Sequence, residues 1–183
     1  MYTIVALSRA ERFSPNSVDK DAAILGCVCN ELIHCGCDVE IREEANLDVS
    51  ANVSLILSMG RLPQTLHALS NMENAGVKVV NTPSSVALCC NRRQLNNVLK
   101  VAGIPLAPEK GEHGYWLRRA DGVAENSGDV QYAADEAEAQ AKEKQMLEAG
   151  VADVLVCAHV PGDLIKFYGV RDTDFFRYYY PGD

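Results

Sequence analysis

The chain has 183 residues, of which 48% are hydrophobic and 23% are charged, as is usual for a globular protein. Its net charge of -8 argues against nucleic acid as a partner, because binding a phosphate backbone needs a basic face. No apolar run approaches the ~20 residues that a membrane span requires, and the first residues do not resemble a signal peptide. We therefore expect a cytoplasmic protein with neither a membrane nor a nucleic-acid partner.

The seven cysteines raise the question of a metal or redox site. Cys27, Cys29, Cys35 and Cys37 form two C-x-C pairs beside His34. Residues i and i+2 of a helix point about 200° apart, so such pairs converge poorly on one ion. Free cysteine is also among the most buried residue types in ordinary cores. Packing in the core or at a helix end is favoured, and a metal or redox module built on this cluster is the alternative.

The first part of the chain alternates strand and helix patterns. Predicted strands cover residues 2–7, 39–42, 53–58 and 77–80, and predicted helices cover about 16–35 and 63–76. The third strand, VSLILS, is almost continuously apolar, as expected of a strand buried on both faces of a parallel sheet. This order predicts a small α/β unit with a doubly wound, Rossmann-like parallel sheet.

A sheet of this kind binds ligands at the carboxyl ends of its strands. In this chain those ends are followed by the loops 8–17, 59–63 and 81–85. No G-x-G-x-x-G motif follows the first strand and the sequence has no P-loop motif, so dinucleotide binding is not predicted.

Residues 81–108 separate this unit from a different one. They contain a Thr-Pro-Ser-Ser turn, a predicted helix that carries Arg92 and Arg93, and a helix end at Gly103 with prolines soon after it. We interpret 1–84 as the first domain, 85–108 as a linker helix with a proline-containing exit, and 109–183 as a second, smaller domain. The two arginines are either solvated helix charges or part of a site.

Beyond Pro108 the pattern becomes that of a small α+β unit. The predicted elements are strands at 115–119, 130–132, 154–157, 164–168 and 175–180 and an Ala/Glu/Lys-rich helix at 135–149. The last three strands are joined by short turns and predict one antiparallel sheet. Arg118 stands in an apolar strand, where a charge needs a specific reason.

Three stretches, in the same order, resemble motifs of the ATP-grasp superfamily. The residues N-x-P-x-S at 81–85, N-R at 91–92 and AGIPLAP at 102–108 are similar to its Asn-Pro, Asp-Lys helix and Gly-Ile-Pro-x-Pro pattern. VLVCAHVPGDLIKFYGV at 154–170 is similar to its hinge strand, Gly-Asp turn and following strand. YWLRRADG at 115–122 resembles the strand and loop that carry its second nucleotide-binding lysine. The resemblance implies a pre-ATP-grasp domain followed by an antiparallel-sheet ATP-grasp subdomain.

The resemblance also implies a chemistry, in which ATP phosphorylates a carboxylate and an amine then displaces phosphate from the acylphosphate. It places Arg92 and Arg118 where the family has lysines that contact phosphates. It assigns the adenine edge to the backbone of 157–160, the ribose hydroxyls to Asp163 and a phosphate to Lys166. The candidate ATP-binding residues are Arg92, Arg118, Cys157, His159, Val160, Asp163 and Lys166.

In the family, a further α+β portion follows the part that resembles this chain and supplies acidic and Asn ligands for Mg²⁺. We therefore expect no magnesium site and no catalytic residue in this chain, which we interpret as a fragment or degenerate form that is inactive alone. The complete protein would be an ATP-dependent carboxylate–amine ligase acting on an unidentified small-molecule carboxylate. The alternative is a non-enzymatic binding or oligomerisation module, such as a homodimer, that uses the aromatic strand 175–180 as an edge.

Overall fold

The computed structural model describes residues 2–47, 53–170 and 172–181 of the chain. The first unit consists of β1 (Thr3–Ser8), α1 (Val18–His34), β2 (Asp38–Glu43), β3 (Leu55–Ser58), α2 (Pro63–Asn74) and β4 (Lys78–Val80). Its four strands lie in the order β2-β1-β3-β4, and all neighbours run parallel. Because all four strands run parallel, their carboxyl ends lie along one edge of the sheet.

The two helices of this unit cover opposite faces of the sheet. Leu69 of α2 packs on the face that contains Val5. Leu25 and Cys29 of α1 pack on the other face, against Ala6. Because successive residues of a strand point to opposite faces, β1 contributes to both cores. The predicted doubly wound parallel sheet is confirmed.

The cysteines around the end of α1 do not form a common site. Cys29 is buried, as its place on the apolar face predicts, whereas Cys27 and Cys35 are exposed. Among the residues that the structure describes, no group of three or more His, Cys, Asp or Glu side chains could hold a metal ion. We therefore assign no function to the cluster.

The linker contains two helices where the sequence predicts one. These are α3 (Pro83–Cys90) and α4 (Arg92–Val101), and they meet at Asn91. The Asn91 side chain accepts a hydrogen bond from the N–H of Gln94 at 2.9 Å. Asparagine is a strong N-cap residue, so it starts a new helix within the pattern. Gly103 follows α4 with a φ of +70°, a backbone conformation that favours glycine, as the predicted helix end requires.

The second unit is an antiparallel sheet covered by one helix. It contains β5 (Tyr115–Arg119), β6 (Val130–Ala133), α5 (Glu136–Glu148) and β7 (Val154–Ala158), and its strand order is β6-β5-β7. Side chains of the sheet and of α5 share one core, which includes Leu117 and Met146. None of the helices in the described ranges is long and apolar enough to cross a membrane.

The prediction that 154–157, 164–168 and 175–180 form one antiparallel sheet is wrong. β7 pairs with β5, and β8 (Lys166–Gly169) and β9 (Phe176–Tyr179) form a separate hairpin. The physical reason is burial. β7 buries Val154 and Ala158, whereas every residue of β8 and β9 is exposed. A strand with a buried face pairs where a core exists, and turn length alone does not select its partner.

Arg93 connects the linker to the second unit. Its Nε and Nη2 donate to the two carboxylate oxygens of Asp153 at 3.0 and 2.7 Å, and Nη2 also donates to the Val154 carbonyl at 2.8 Å. The hydrogen bonds from Arg93 hold the pKa of Asp153 below its ordinary value. The two side chains are 43% and 37% exposed, so solvent weakens the pair.

We expect Arg93→Met to lower the free energy of unfolding by about 1 kcal/mol near neutral pH. Because the pKa of Asp153 is lowered in the folded state, its contribution is complete above the unfolded pKa and is lost as the pH falls through the folded pKa. Urea unfolding of both proteins from neutral to strongly acidic pH should show a stability difference that shrinks toward acid. A difference that stays constant with pH would contradict a role for the ion pair.

Candidate functional site

Arg92 of the linker and Arg118 of the second unit interact electrostatically with each other. Arg92 is the first residue of α4, and Arg118 lies within β5. Burial, and after it the neighbouring Arg118 cation, lowers the pKa of Arg92. Within the described part of the chain, neither guanidinium has a carboxylate partner. Two neighbouring cations that lack a carboxylate form a site suited to a polyanion.

Arg118 belongs to the face of the second sheet that α5 leaves uncovered. Leu117 points into the core beneath α5, so Trp116 and Arg118 point to the opposite face. Cys157 is paired opposite Trp116 and shares that face. The Arg118 Nη1 lies 3.8 Å from the Cys157 Sγ, and its guanidinium carbon lies 5.7 Å from the Trp116 ring centroid. We call Trp116, Arg118 and Cys157 the open face.

The chain that leaves β7 is held by backbone hydrogen bonds. The N–H of Ala158 donates to the Pro108 carbonyl, and that of His159 donates to the Gly114 carbonyl, both at 2.8 Å. Within the described residues the next N–H, that of Val160, makes no hydrogen bond to the protein. This group is therefore available to an acceptor on a ligand.

The His159 ring lies beside the open face. Its Nδ1 accepts a hydrogen bond from the Trp116 Nε1 at 3.1 Å, so Nδ1 carries no proton in this arrangement. The ring of Tyr132 is edge-on to both, with centroids 5.3 Å from Trp116 and 5.9 Å from His159. These contacts fix the orientation of Trp116, the single tryptophan of the chain.

Asp163 and Lys166 follow this group along the chain. Both are exposed, Asp163 in the turn after β7 and Lys166 at the start of β8, opposite Tyr179. Neither side chain has a hydrogen bond or an ion pair within the described residues. Of the candidate ATP-binding residues, the structure thus brings together Arg92, Arg118 and Cys157, with His159 and Val160 next to them.

A buried glutamate organises the loops of the first unit. Glu44 is 2% exposed. Its Oε1 accepts from the N–H of Ala10 at 2.6 Å, and its Oε2 accepts from those of Arg61 and Leu62 at 2.7 and 2.8 Å. A Cβ on Gly60 would lie 2.9 Å from the same Oε2, which explains why glycine stands there. Glu44 thereby fixes the loops after β1 and β3 relative to each other.

A cavity of about 710 Å³ opens at the carboxyl ends of β1, β3 and β4. It coincides with the loops for which the sequence predicts a ligand site, and it lies at the carboxyl ends of the neighbouring strands β1 and β3, where the strand order reverses. Its charged lining side chains are Arg9, Arg61 and Arg92. Arg9 pairs with Asp21 at 3.0 Å. Arg61 has no side-chain hydrogen bond or ion pair within the described residues.

No protein-family model matches the sequence, and no curated protein is similar to it. Solved structures are similar in fold. The D-alanyl-alanine synthetase A of Vibrio cholerae superposes with a TM-score of 0.65 at 15% identity, over 96% of this chain and 65% of that one. A RimK domain protein ATP-grasp from Sphaerobacter thermophilus superposes with a TM-score of 0.57 at 18% identity, over 86% of this chain and 64% of that one. This chain has an ATP-grasp fold.

A third solved structure, whose name gives a different activity from the other two, also has a similar fold. The N5-carboxyaminoimidazole ribonucleotide synthetase of Thermotoga maritima matches with a TM-score of 0.56 at 12% identity, over 87% of this chain and 46% of that one. The chain therefore spans 46–65% of the length of these three proteins. The TM-scores of 0.56–0.65 establish the fold, whereas at identities of 12–18% the activity has to be argued from the residues.

Sequence reasoning missed Glu44, Arg9 and Arg61. A signal was present, since Arg9 and Glu44 each directly follow a strand and Arg61 comes shortly after one. Polar residues at the carboxyl ends of parallel strands meet at one edge of the sheet. The sequence does not show which of them are paired and which are not.

Proposed function

We propose that this chain binds ATP on the open face, with the phosphates held between Arg92 and Arg118. The observation that carries the proposal is that the partly buried Arg92, at the start of α4, interacts electrostatically with Arg118 on the open face, while neither has a carboxylate partner in the described residues. Like charges repel, and burial adds a desolvation cost that a bound anion offsets. A triphosphate supplies several anionic oxygens, which arginine binds through paired N–H donors. The ATP-grasp fold supports the same assignment.

The remaining candidates complete the nucleotide site in this proposal. The free N–H of Val160 donates to the adenine edge, and Cys157 and His159 line that end of the site. Asp163 accepts from the ribose hydroxyls, and Lys166 contacts a phosphate when the β8–β9 hairpin lies over the nucleotide. The exposure of both side chains leaves them available for such contacts.

The complete protein, in this proposal, is a carboxylate–amine ligase. A carboxylate oxygen attacks the γ-phosphorus of ATP and ADP leaves, after which an amine attacks the acyl carbon and phosphate leaves. The described residues supply no grouped metal ligands, so we assign no Mg²⁺ site to them. In this proposal the described residues bind and orient the nucleotide.

The proposal is tested by titrating the 183-residue chain with ATP while recording tryptophan fluorescence and, in parallel, the heat of binding. Trp116 is the only tryptophan and lies on the open face, so its emission should change in a saturable way. The calorimetric midpoint should agree with the optical one. Absence of a binding heat over the accessible range of ATP concentrations would refute nucleotide binding by this chain.

A second candidate function is the non-enzymatic oligomerisation module. It is favoured by the β8–β9 hairpin, whose side chains Phe167, Phe176 and Tyr178 are 61%, 58% and 62% exposed. Exposed aromatic strands tend to pair with another chain. Light scattering after size exclusion distinguishes the two functions. A dimer that does not bind ATP favours the module, whereas a monomer that binds ATP excludes it.

A further inference from the structure

All the described charged side chains that line the cavity at the carboxyl ends of β1, β3 and β4 are positive. Its charged lining side chains are the three arginines Arg9, Arg61 and Arg92, and no described lining residue is an Asp or a Glu. The whole chain has 25 acidic and 17 basic residues, so the local balance is opposite to the overall one. A basic lining inside an acidic protein attracts small anions to this cavity.

The charges nearby leave a positive excess. Asp21 neutralises Arg9 at 3.0 Å. The buried carboxylate of Glu44 accepts from three backbone N–H groups of the neighbouring loops. Arg61 retains no side-chain hydrogen bond or ion pair among the described residues, although Glu44 fixes its backbone. A half-buried guanidinium that is positioned but unpaired has its hydrogen-bond donors available for a ligand.

The other walls of the cavity are aliphatic. Ile24 and Val28 lie one turn apart on α1 and are 58% and 45% exposed, although both line the cavity. Leu57 and Val86 line it from β3 and α3. The volume of about 710 Å³ falls within the range of roughly 300–1,000 Å³ that is usual for small-molecule sites. The walls thus suit an apolar body, and Arg61 suits its charged end.

We propose that this cavity binds a small amphipathic anion, with its carboxylate or phosphate on Arg61 and its apolar body against Ile24 and Val28. The site is distinct from the open face, and only Arg92 borders both. Occupation of the cavity requires no nucleotide. Binding can therefore be measured without ATP, and its outcome is separate from that of the proposed function.

The test uses the 183-residue chain and four probes, namely hexanoate, phenyl phosphate, hexanol and inorganic phosphate. Methyl and amide NMR spectra should show saturable shifts at Ile24, Val28 and Arg61 with hexanoate, with phenyl phosphate or with both. The first two probes distinguish a carboxylate from a phosphate as the preferred charged end. Hexanol, which has no charge, and inorganic phosphate, which has no apolar body, should each bind at least tenfold more weakly than the tighter of hexanoate and phenyl phosphate.

Two variants and their matched controls make the test decisive. Arg61→Met should weaken binding of the better probe at least tenfold, and Arg61→Lys should restore part of the lost affinity. Arg12→Met, at an exposed arginine outside the cavity, should not change the affinity. Val28→Asp places a carboxylate against the arginines and should abolish binding. Ile33→Asp, on an exposed site of the same helix outside the cavity, should not.

Three results would overturn the proposal. If hexanol binds as tightly as hexanoate and phenyl phosphate, the charge of the ligand is irrelevant. If inorganic phosphate binds as tightly as phenyl phosphate, the apolar walls are irrelevant. Shifts that map outside the cavity, or the absence of shifts with every probe, would show that the cavity binds no such anion.

Discussion

Replacing Arg118 by methionine should weaken ATP binding by about 1–3 kcal/mol, which corresponds to roughly 5–150-fold in the dissociation constant. The substitution keeps most of the apolar stem beside Trp116 and removes the donors that would contact phosphate oxygens. Arg92→Met should have an effect of similar size. Isothermal titration of each variant with ATP measures it, and unchanged affinity in both variants would refute the site.

The same substitutions should not destabilise the protein without ligand. Arg92 is partly buried beside another cation, and its lowered pKa reflects burial first and Arg118 second. Removal of either charge relieves repulsion, so the free energy of unfolding should stay equal or rise slightly while ATP affinity falls. Arg12→Met, at an exposed arginine away from the open face, serves as the matched control. A loss of stability equal to the loss of affinity would indicate a structural role.

Glu44→Gln should lower the free energy of unfolding by about 2–4 kcal/mol, a large share of the roughly 5–15 kcal/mol that stabilises a typical domain. Both carboxylate oxygens of Glu44 accept backbone N–H groups, from Ala10 on one side and from Arg61 and Leu62 on the other. An amide has one acceptor oxygen, and its NH₂ group would face at least one of these N–H donors. A buried donor would then lose its partner.

Chemical denaturation of Glu44→Gln and Glu43→Gln provides the comparison. Glu43 is the neighbouring residue and is exposed, so the same substitution should cost less than about 0.5 kcal/mol there. Because Glu44 fixes the Arg61 backbone, Glu44→Gln should also weaken anion binding in the cavity. Equal stability of the two variants would show that the loops are held by other contacts.

Elements with a regular apolar pattern could be predicted from the sequence. β5 occupies the predicted residues, and residues 4–7 of β1 are all buried, as expected of an inner strand covered on both faces of a parallel sheet. Asn91 is a residue type that favours the start of a helix, but the helical pattern continues on both sides of it, so the sequence predicted one helix in place of two. The pairing of β7 with β5 could not be predicted, because the register between strands distant in sequence depends on a core that both share.

Part of the candidate site could likewise be predicted from the sequence, and part of it depends on the fold. The resemblance selected Arg92 and Arg118, and the fold places them within electrostatic range of each other. The sequence left the roles of Arg92 and Arg93 open. Successive helix positions differ by about 100°, so Arg92 lies beside Arg118 while Arg93 bonds Asp153 in the second unit.

The sequence by itself determined the order of the parts and the class of each unit, because hydrophobic periodicity and capping residues act locally. Only the tertiary structure decided that Glu44 binds the backbone of Ala10 and of Arg61, which lie 34 and 17 positions away in the sequence. It also decided that the Arg61 side chain has no hydrogen bond or ion pair among the described residues. The reason is geometric. Parallel strands bring residues that are distant in sequence to one edge of a sheet, and their distances there decide which charges are neutralised and which remain for a ligand.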